Sequence, residues 1–288
     1  MKLGRYYIDL NIAFGEDFSE YRFDEGGVPM IRVPQEPDWC YNPVTVCQYG
    51  LHHFNRFLLG PAEESKQIFL SQAAWLLDHA ESGVEDSRVW FYPFDRPFYR
   101  LFSPWISGMA QGEAVSVLLR AHQLTGERGF MTTARHAWKI FEVEVRHGGV
   151  VSYFPDGGVM IEEYPSSEFF TGVLNGFIFA IFGIYDYALY TGEETAHRFF
   201  YSLVESLKNN LHRYDCGYWS KYDLMNPVRL ASKSYHRLHI QLLNELYTIT
   251  RDSSFKIFQD RWQGYLMSSR CRLKWALRKV HQKLFLRL

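Results

Sequence analysis

The sequence predicts a mainly α-helical protein that forms a partial α/α toroid of about four helical hairpins, with short β-hairpins and an N-terminal β-arm. Four segments share one plan, in which an amphipathic helix, a short break and a second helix follow one another. The breaks recur regularly, since 66 residues separate Gly60 from Gly126 and again Gly126 from Gly192. Such a repeat is typical of stacked helical hairpins that bury their apolar faces on one another.

The hairpins are delimited by apolar periodicity and by the residues in each break. We expect them at 48–58 with 62–80, at 107–124 with 128–144, at 168–190 with 194–212, and at 236–249 with 253–267. Glycine in the first three breaks predicts left-handed helix caps. An acidic residue after the break is stabilised by the positive N-terminal end of the next helix dipole. The first helix of each pair is the more apolar, which predicts an inner ring of first helices and an outer ring of second helices.

Short β-like stretches lie between the predicted hairpins, at 89–92, 150–154, 159–161 and 218–219. Asp156-Gly157-Gly158 stands between two of them and is a hairpin turn signal. We expect these elements at one mouth of the toroid, where concave sites form.

The two ends of the chain differ from its repeated middle, so we divide it into 1–40, 41–271 and 272–288. Residues 1–40 predict a β-arm that lies across the mouth of the toroid or reaches a second subunit, which would give a homodimer. Residues 272–288 predict a basic amphipathic helix, because apolar residues recur at helical spacing within a stretch from Arg270 that has seven Lys or Arg and no acid. This helix either makes peripheral contact with anionic lipid or packs on the toroid or a partner.

Composition limits the classes of function. Aromatic residues make up 17% of the chain, which suits a cleft for sugar rings and equally suits a Phe-rich helical core. A net charge of −1 predicts no nucleic-acid partner. Four cysteines without a C-x-x-C pair argue against a zinc site or a disulfide framework, and no residue cluster requires a metal or an organic cofactor.

The expected location is cytoplasmic. No apolar segment of a signal peptide follows Met1, no Asn-x-Ser/Thr sequon occurs, and the longest uncharged run, between Glu168 and Asp186, contains Thr171, Asn175 and three glycines. If the C-terminal helix binds lipid, we expect the protein at the inner face of the membrane.

The run Glu162-Glu163-Tyr164-Pro165 places paired carboxylates and a tyrosine in a loop that approaches an uncharged helix. Burial and like-charge crowding there would raise the pKa of one carboxyl into a range useful for proton transfer. The simpler interpretation is a charged approach to the helix with Tyr164 as surface packing. The tyrosines at 222 and 235 further along the chain favour the catalytic interpretation.

Motifs between Tyr41 and Cys271 follow one another in a distinctive order. They are Gln48-Tyr49-Gly50-Leu51 with His53, Trp105 with Met109-Ala110-Gln111-Gly112, Glu162-Glu163-Tyr164-Pro165 with Leu174-Asn175-Gly176-Phe177, Tyr222-Asp223-Leu224, Tyr235-His236 with His239, and Arg261-Trp262 within 255–270. In this order and spacing they resemble the C-terminal catalytic domain of the D-glucuronyl C5-epimerases.

The resemblance implies a partial α/α barrel that lines a groove for a polysaccharide, and a reaction that removes the C5 proton of a uronate and returns a proton from the opposite face. It implies conversion of D-glucuronate to L-iduronate in a heparosan-like polymer. The family's catalytic candidates fall on Glu163, Tyr164, Tyr222 and Tyr235. The expected substrate-binding residues are Gln48, Tyr49, His53, Trp105, Gln111, Asn175, His236, Arg237 and His239.

Two departures from the family pattern concern the substrate carboxylate and the cleft wall. Met225 stands where the family has Arg after Tyr-Asp-Leu, and Arg229 or Arg237 would have to replace it. Only about forty residues precede the match, so the β-arm or a second subunit must supply the other wall. A uronate polysaccharide lyase on the same fold, a glycoside hydrolase and a non-catalytic glycan-binding protein remain as alternatives.

Overall fold

The computed structural model describes residues 2–10, 20–34, 36–60 and 62–282. In this part of the chain nine α-helices form four consecutive hairpins and one additional C-terminal helix. They are α1 (Pro43–Leu59) with α2 (Glu63–Asp78), α3 (Gly108–Thr125) with α4 (Arg128–Trp138), α5 (Leu174–Thr191) with α6 (Glu194–Asn210), α7 (Lys233–Thr250) with α8 (Ser253–Met267), and α9 (Ser269–His281). The predicted mainly helical architecture of four hairpins is confirmed.

The strands are short and antiparallel. The N-terminal arm forms a three-stranded sheet, β1 (Tyr21–Phe23), β2 (Pro29–Arg32) and β3 (Trp39–Tyr41), in the order β1-β2-β3. Two further pairs follow, β4 (Glu81–Ser82) with β5 (Arg88–Val89), and β6 (Val151–Tyr153) with β7 (Val159–Ile161). The turn between β6 and β7 contains Gly157 at φ +84°, as its sequence indicates.

The helix ends show where the cap prediction holds. Gly126 and Gly192 end α3 and α5 at φ 73° and 72°, in the left-handed region. Gly60 was expected to cap α1 in the same way, and this is wrong, because its backbone is extended at φ −176°. The residue before a proline is driven out of helical conformations, and Pro61 follows Gly60 in the sequence.

The inner ring is held together by close backbone contact between α3 and α5. A Cβ added to Gly112 would lie 2.7 Å from the Ala180 Cα, and one added to Gly183 would lie 2.1 Å from the Gly112 carbonyl oxygen. Both helices are almost wholly buried, whereas α4 and α6 bury one face only. In these two hairpins the first helix is therefore the inner one, as its apolar composition predicts.

The helix α5 begins later than predicted, at Leu174 instead of residue 168. The segment before it is diverted because the Glu162 carboxylate accepts hydrogen bonds from the backbone N–H groups of Thr171, at 3.1 Å, and Gly172, at 3.0 Å. Gly172 adopts φ +59°, a conformation that glycine tolerates best.

Residues 2–10 are packed into the helical domain. The side chains of Leu3, Tyr6, Ile8 and Leu10 are buried, and the Tyr6 N–H donates to Asn55 Oδ1 of α1 at 2.6 Å. The Tyr7 hydroxyl donates to Asp186 Oδ1 of α5 at 2.6 Å. This segment thus connects two hairpins of the toroid.

The helix α9 packs along one side only. Trp275 lies 5.3 Å, centroid to centroid, from Trp219, and its ring N–H donates to the Ala231 carbonyl at 2.9 Å. The end of the predicted helix, residues 283–288, lies outside the described residues. Among the described helices, none combines the length and apolar character needed to cross a membrane.

Candidate active site

A cleft of about 850 Å³ opens where the N-terminal segment meets the starts of α1, α3, α5 and α7. Of the residues that the sequence singles out, it is lined by Gln48, Trp105, Glu163, Tyr164, Asn175, Tyr235 and Arg237. Residues 8–10 and Glu20 of the N-terminal segment also line it. Within the described chain, the arm therefore contributes to the cleft wall, which is one of the two arrangements expected from the sequence.

Glu163 is the buried carboxyl of this cleft, with only 7% of its surface exposed. Asn175, in the first turn of α5, donates to Glu163 Oε2 at 3.2 Å. Burial raises the pKa of Glu163 to about 7, hydrogen bonds from Tyr164 and Asn175 oppose the rise, and the charges of Glu162 and Asp223 add to it. Near neutral pH the carboxyl can therefore both accept and release a proton.

Gly176 makes room for this carboxyl against α5. A Cβ at this position would lie 2.3 Å from Glu163 Oε2 and 2.4 Å from Glu163 Cβ. A side chain at position 176 would displace Glu163. Asn175 therefore binds the carboxyl by a hydrogen bond, and Gly176 leaves the space that the carboxyl occupies.

Glu162 points elsewhere and has a different environment. Its carboxylate accepts four hydrogen bonds, from the Ser152 hydroxyl at 2.9 Å, the Thr171 hydroxyl at 2.5 Å and the backbone N–H groups of Thr171 and Gly172. Burial raises the pKa of Glu162, and these hydrogen bonds oppose that shift. Glu162 is not among the residues that line the cleft, and it fixes the loop that precedes α5.

Stacked aromatic rings form one side of the cleft. Tyr164 stacks on Tyr99 with centroids 3.9 Å apart, and Trp105 stacks on Tyr92 at 4.0 Å. The Trp105 ring N–H donates to the Phe94 carbonyl at 2.7 Å, which fixes the orientation of the indole. Rigid aromatic faces of this kind suit the C–H faces of sugar rings.

Tyr235, in the first turn of α7, lines the cleft and packs edge-on against Tyr222, with centroids 4.8 Å apart. Burial raises the pKa of Tyr235, the charge of Glu163 adds to the rise, and a hydrogen bond with Tyr222 and the charge of Arg229 oppose it. The Ser232 hydroxyl, which accepts from the Tyr235 backbone N–H at 3.1 Å, caps α7 and sets the start of the helix. Tyr222 itself does not line the cleft and lies behind Tyr235.

The Arg229 side chain lies behind the cleft, where other side chains contact it. It forms an ion pair with Asp223 at 2.9 Å, donates to the Tyr99 hydroxyl at 2.9 Å, and lies over the Tyr222 ring at 5.1 Å. Burial raises the pKa of Asp223 to about 6, and Arg229 opposes that rise. Arg237 and Arg96 line the cleft, and neither forms an ion pair with a carboxylate of the described residues. Of the two replacements considered for the family's arginine, Arg237 is the one in the cleft.

Glu113 is a functional candidate that sequence analysis missed. It lies on α3, is fully buried, and accepts a hydrogen bond at 2.9 Å from Gln48, which lines the cleft. Burial raises the pKa of Glu113 well above its usual range, and the charge of Glu163 adds to that rise. The signal available in the sequence was that Glu113 is the one acidic residue of this inner helix.

Five of the expected substrate-binding residues lie outside the cleft lining. The Gln111 amide donates to the carbonyls of Arg88, at 2.5 Å, and Ala137, at 3.2 Å. His236 and His239 share the Ser220 hydroxyl, at 2.7 and 2.9 Å, and are fully buried. The remaining two are Tyr49 and His53, whose rings pack edge to face at 4.6 Å.

Burial lowers the pKa of the buried histidines, to about 4 for His236, 3 for His239 and 4 for His53. They are therefore neutral at physiological pH and do not supply the positive charge that a substrate carboxylate needs. Within the described chain, no group of three or more His, Cys, Asp and Glu side chains is arranged to hold a metal ion.

Known proteins with similar folds include three carbohydrate-active enzymes. They are the unsaturated glucuronyl hydrolase of Bacillus sp. GL1 (TM-score 0.52, 16% identity, 76% of this chain and 60% of that one), the cellobiose 2-epimerase of Bacillus thermoamylovorans (0.58, 11%, 86% and 66%) and the GH76 α-mannanase of Bacteroides thetaiotaomicron (0.54, 10%, 89% and 72%). At these identities the likeness describes the fold, and it confirms the predicted α/α toroid.

Sequence comparison is more specific. The family described as D-glucuronyl C5-epimerase C-terminus matches residues 85–264. The D-glucuronyl C5-epimerase of Caenorhabditis elegans is 31% identical over 231 residues, which cover 73% of this chain and 36% of the nematode protein. An uncharacterised protein of Methanocaldococcus jannaschii is 32% identical over 178 residues, 61% of this chain and 57% of its own length. The chain thus spans about a third of the first relative and over half of the second. Since the match extends over most of the chain in both comparisons, the protein belongs to the D-glucuronyl C5-epimerase C-terminal family.

Proposed function

We propose that this protein is a polysaccharide epimerase that converts D-glucuronate to L-iduronate residues in a heparosan-like polymer. Family membership supports the reaction class. The single observation that carries the proposal is Glu163, a buried carboxyl with a pKa of about 7 in a cleft that it shares with Tyr235. Inversion at C5 requires one group that takes a proton and another that gives one, and these two residues have the right chemistry.

In the proposed reaction Glu163 is the base in the direction from glucuronate. Its carboxylate takes the C5 proton, and the electron pair of the C–H bond moves into the substrate carboxylate to form an enolate. Burial supports this role because it makes the carboxylate more basic than an exposed glutamate while keeping it about half ionised at pH 7.

Tyr235 returns a proton to C5 from the other face. Its raised pKa keeps the hydroxyl protonated until the enolate forms, so that it acts as an acid. The phenolate left after transfer would be stabilised by the hydrogen bond from Tyr222 and by the positive charge of Arg229. The net result moves one proton from Tyr235 to Glu163, and the opposite transfer would epimerise iduronate.

The charge that develops on the substrate carboxylate needs a positive partner. We assign this role to Arg237, with Arg96 as a second cation of the cleft. Trp105 and Tyr164 would stack on the sugar rings, and Asn175 and Gln48 would contact hydroxyl or acetamide groups. Residues 8–10 and Glu20 would help to keep water from the enolate.

The test is incubation with unsulfated heparosan in deuterated water, read by proton NMR. Deuterium at C5 together with new iduronate signals is the expected result for the wild type. Loss of the iduronate signals in Tyr235→Phe, with normal turnover in the control Tyr201→Phe on the exposed face of α6, would assign the returned proton to Tyr235. Unsaturated chain ends would identify a lyase, and failure of any uronate polymer to exchange at C5 would refute the proposal.

A further inference from the structure

The helix α9 (Ser269–His281) has an apolar stripe that faces away from the protein. Leu273, Leu277 and Val280 are 63%, 65% and 57% exposed and lie at i, i+4 and i+7, on one side of the helix. Single exposed apolar residues are common, but three in register on one helix are not explained by packing within the described chain.

The opposite side of the same helix is anchored. Trp275 packs on Trp219 and donates to the Ala231 carbonyl, and the buried Gln282 side chain donates to the Val228 carbonyl at 2.5 Å. These contacts hold the helix flat on the domain and fix which side points outward. The exposed leucines are therefore presented by a rigid support and not by a loose terminus.

Basic side chains flank the apolar stripe. On a helical projection Arg270 and Lys274 lie on one side of it, and Arg272 lies on the other. Lys279 is partly buried on the side that faces the domain, and the Lys274 ammonium lies over the Tyr218 ring at 4.2 Å. Together with Arg278 they give five cations and no acid within α9. None of the five forms an ion pair with a carboxylate of the described chain.

We propose that α9 is a docking surface for a membrane with anionic lipids, lying in the plane of the headgroups with Leu273, Leu277 and Val280 inserted. An apolar stripe with cations on both sides is the pattern of helices that bind at the lipid–water interface. Charge complementarity selects anionic lipids, because each Lys or Arg near such a surface strengthens binding about fivefold. A soluble polyanion would use the cations but would leave the leucines in water.

Binding is measured by co-sedimentation of the full chain with vesicles of phosphatidylglycerol and phosphatidylcholine, and with vesicles of phosphatidylcholine alone. We expect binding to the anionic vesicles that weakens steeply as salt is raised. The double variant Leu273→Gln/Leu277→Gln should lower the partition coefficient about tenfold or more. Leu59→Gln is the matched control, since Leu59 is equally exposed, at 67%, at the end of α1.

A second variant separates charge from insertion. Arg270→Gln/Lys274→Gln should lower binding about tenfold or more at low salt and should have little effect at high salt. Partitioning of the leucine variant equal to wild type would overturn the proposal in favour of a soluble polyanion. A dimer that dissociates in the leucine variant without any vesicle binding would overturn it in favour of a second copy of the chain.

Discussion

Replacing Glu163 by glutamine should stabilise the protein at alkaline pH while removing its activity. Glutamine has the shape of the protonated carboxyl and carries no charge that burial could penalise. The pKa of this carboxyl rises from 4.5 in the unfolded chain to about 7 in the folded protein. Ionisation therefore costs folding about 3 kcal/mol once the carboxyl is charged in both states.

The sign and the pH window follow from these two values. Below pH 4.5 the carboxyl is protonated in both states, so wild type and Glu163→Gln differ little from this source. Between 4.5 and 7 only the unfolded chain ionises, and wild-type stability falls relative to the variant. Above pH 7 both states are charged, and the full advantage of the variant, about 3 kcal/mol, remains constant.

The assay is urea unfolding of the two proteins at a series of pH values, and the quantity compared is the difference in the free energy of unfolding. Glu81→Gln on the exposed strand β4 is the control, and it should show no comparable rise with pH. The argument that burial raises the pKa of this carboxyl would be refuted by either of two results. One is a difference in the free energy of unfolding that does not change with pH, and the other is a variant that is less stable than wild type at pH 8.

The other predictions concern the cleft and the inner ring. Tyr235→Phe should lower kcat about 10²–10⁴-fold with little change in polymer binding, whereas an unchanged kcat would exclude Tyr235 as the acid. In the direction from glucuronate, kcat/KM should fall about tenfold per pH unit below the pKa of Glu163, about 7, and a profile that is flat from pH 5 to 8 would exclude Glu163 as the base. Gly176→Ala should reduce activity strongly because its Cβ would lie 2.3 Å from Glu163 Oε2, and crystallography of the variant would show whether the carboxyl moves. Gly183→Ala should destabilise the fold by about 1–3 kcal/mol through contact with the Gly112 backbone, whereas Gly264→Ala in the open part of α8 should stabilise it by about 0.5–1 kcal/mol; thermal unfolding of both checks the contrast.

The helices could be predicted from periodicity, because the apolar face of each helix follows from residues that are close together in the sequence. The start of α5 was missed because it depends on a tertiary contact, the Glu162 carboxylate that captures the backbone of Thr171 and Gly172. Gly60 was assigned the usual role of a glycine after a helix, and the following proline overrides that role.

The candidate site also depends on contacts between residues that are distant in the sequence. The family resemblance selects Glu163 over Glu162, but the spacing of the two residues gives no reason for the choice. The structure supplies it, because four donors surround Glu162 and only Glu163 lines the cleft. The expected polar contacts His236 and His239 carry suitable chemistry, but the Nδ1 atom of each is directed to Ser220 inside the domain. Which side of a helix a polar residue faces depends on neighbours that are distant in the chain.

The packing of residues 2–10 has a consequence for biosynthesis. The Tyr7 hydroxyl meets Asp186, which also pairs with Arg120 in a fully buried contact at 2.5 Å. During translation residues 2–10 leave the ribosome long before Asp186 is made, so this segment emerges before its partner on α5 exists. Folding of the first two hairpins alone leaves Tyr6 and Tyr7 without Phe182 and Asp186 of α5, so residues 2–10 complete their packing only after the third hairpin has been made.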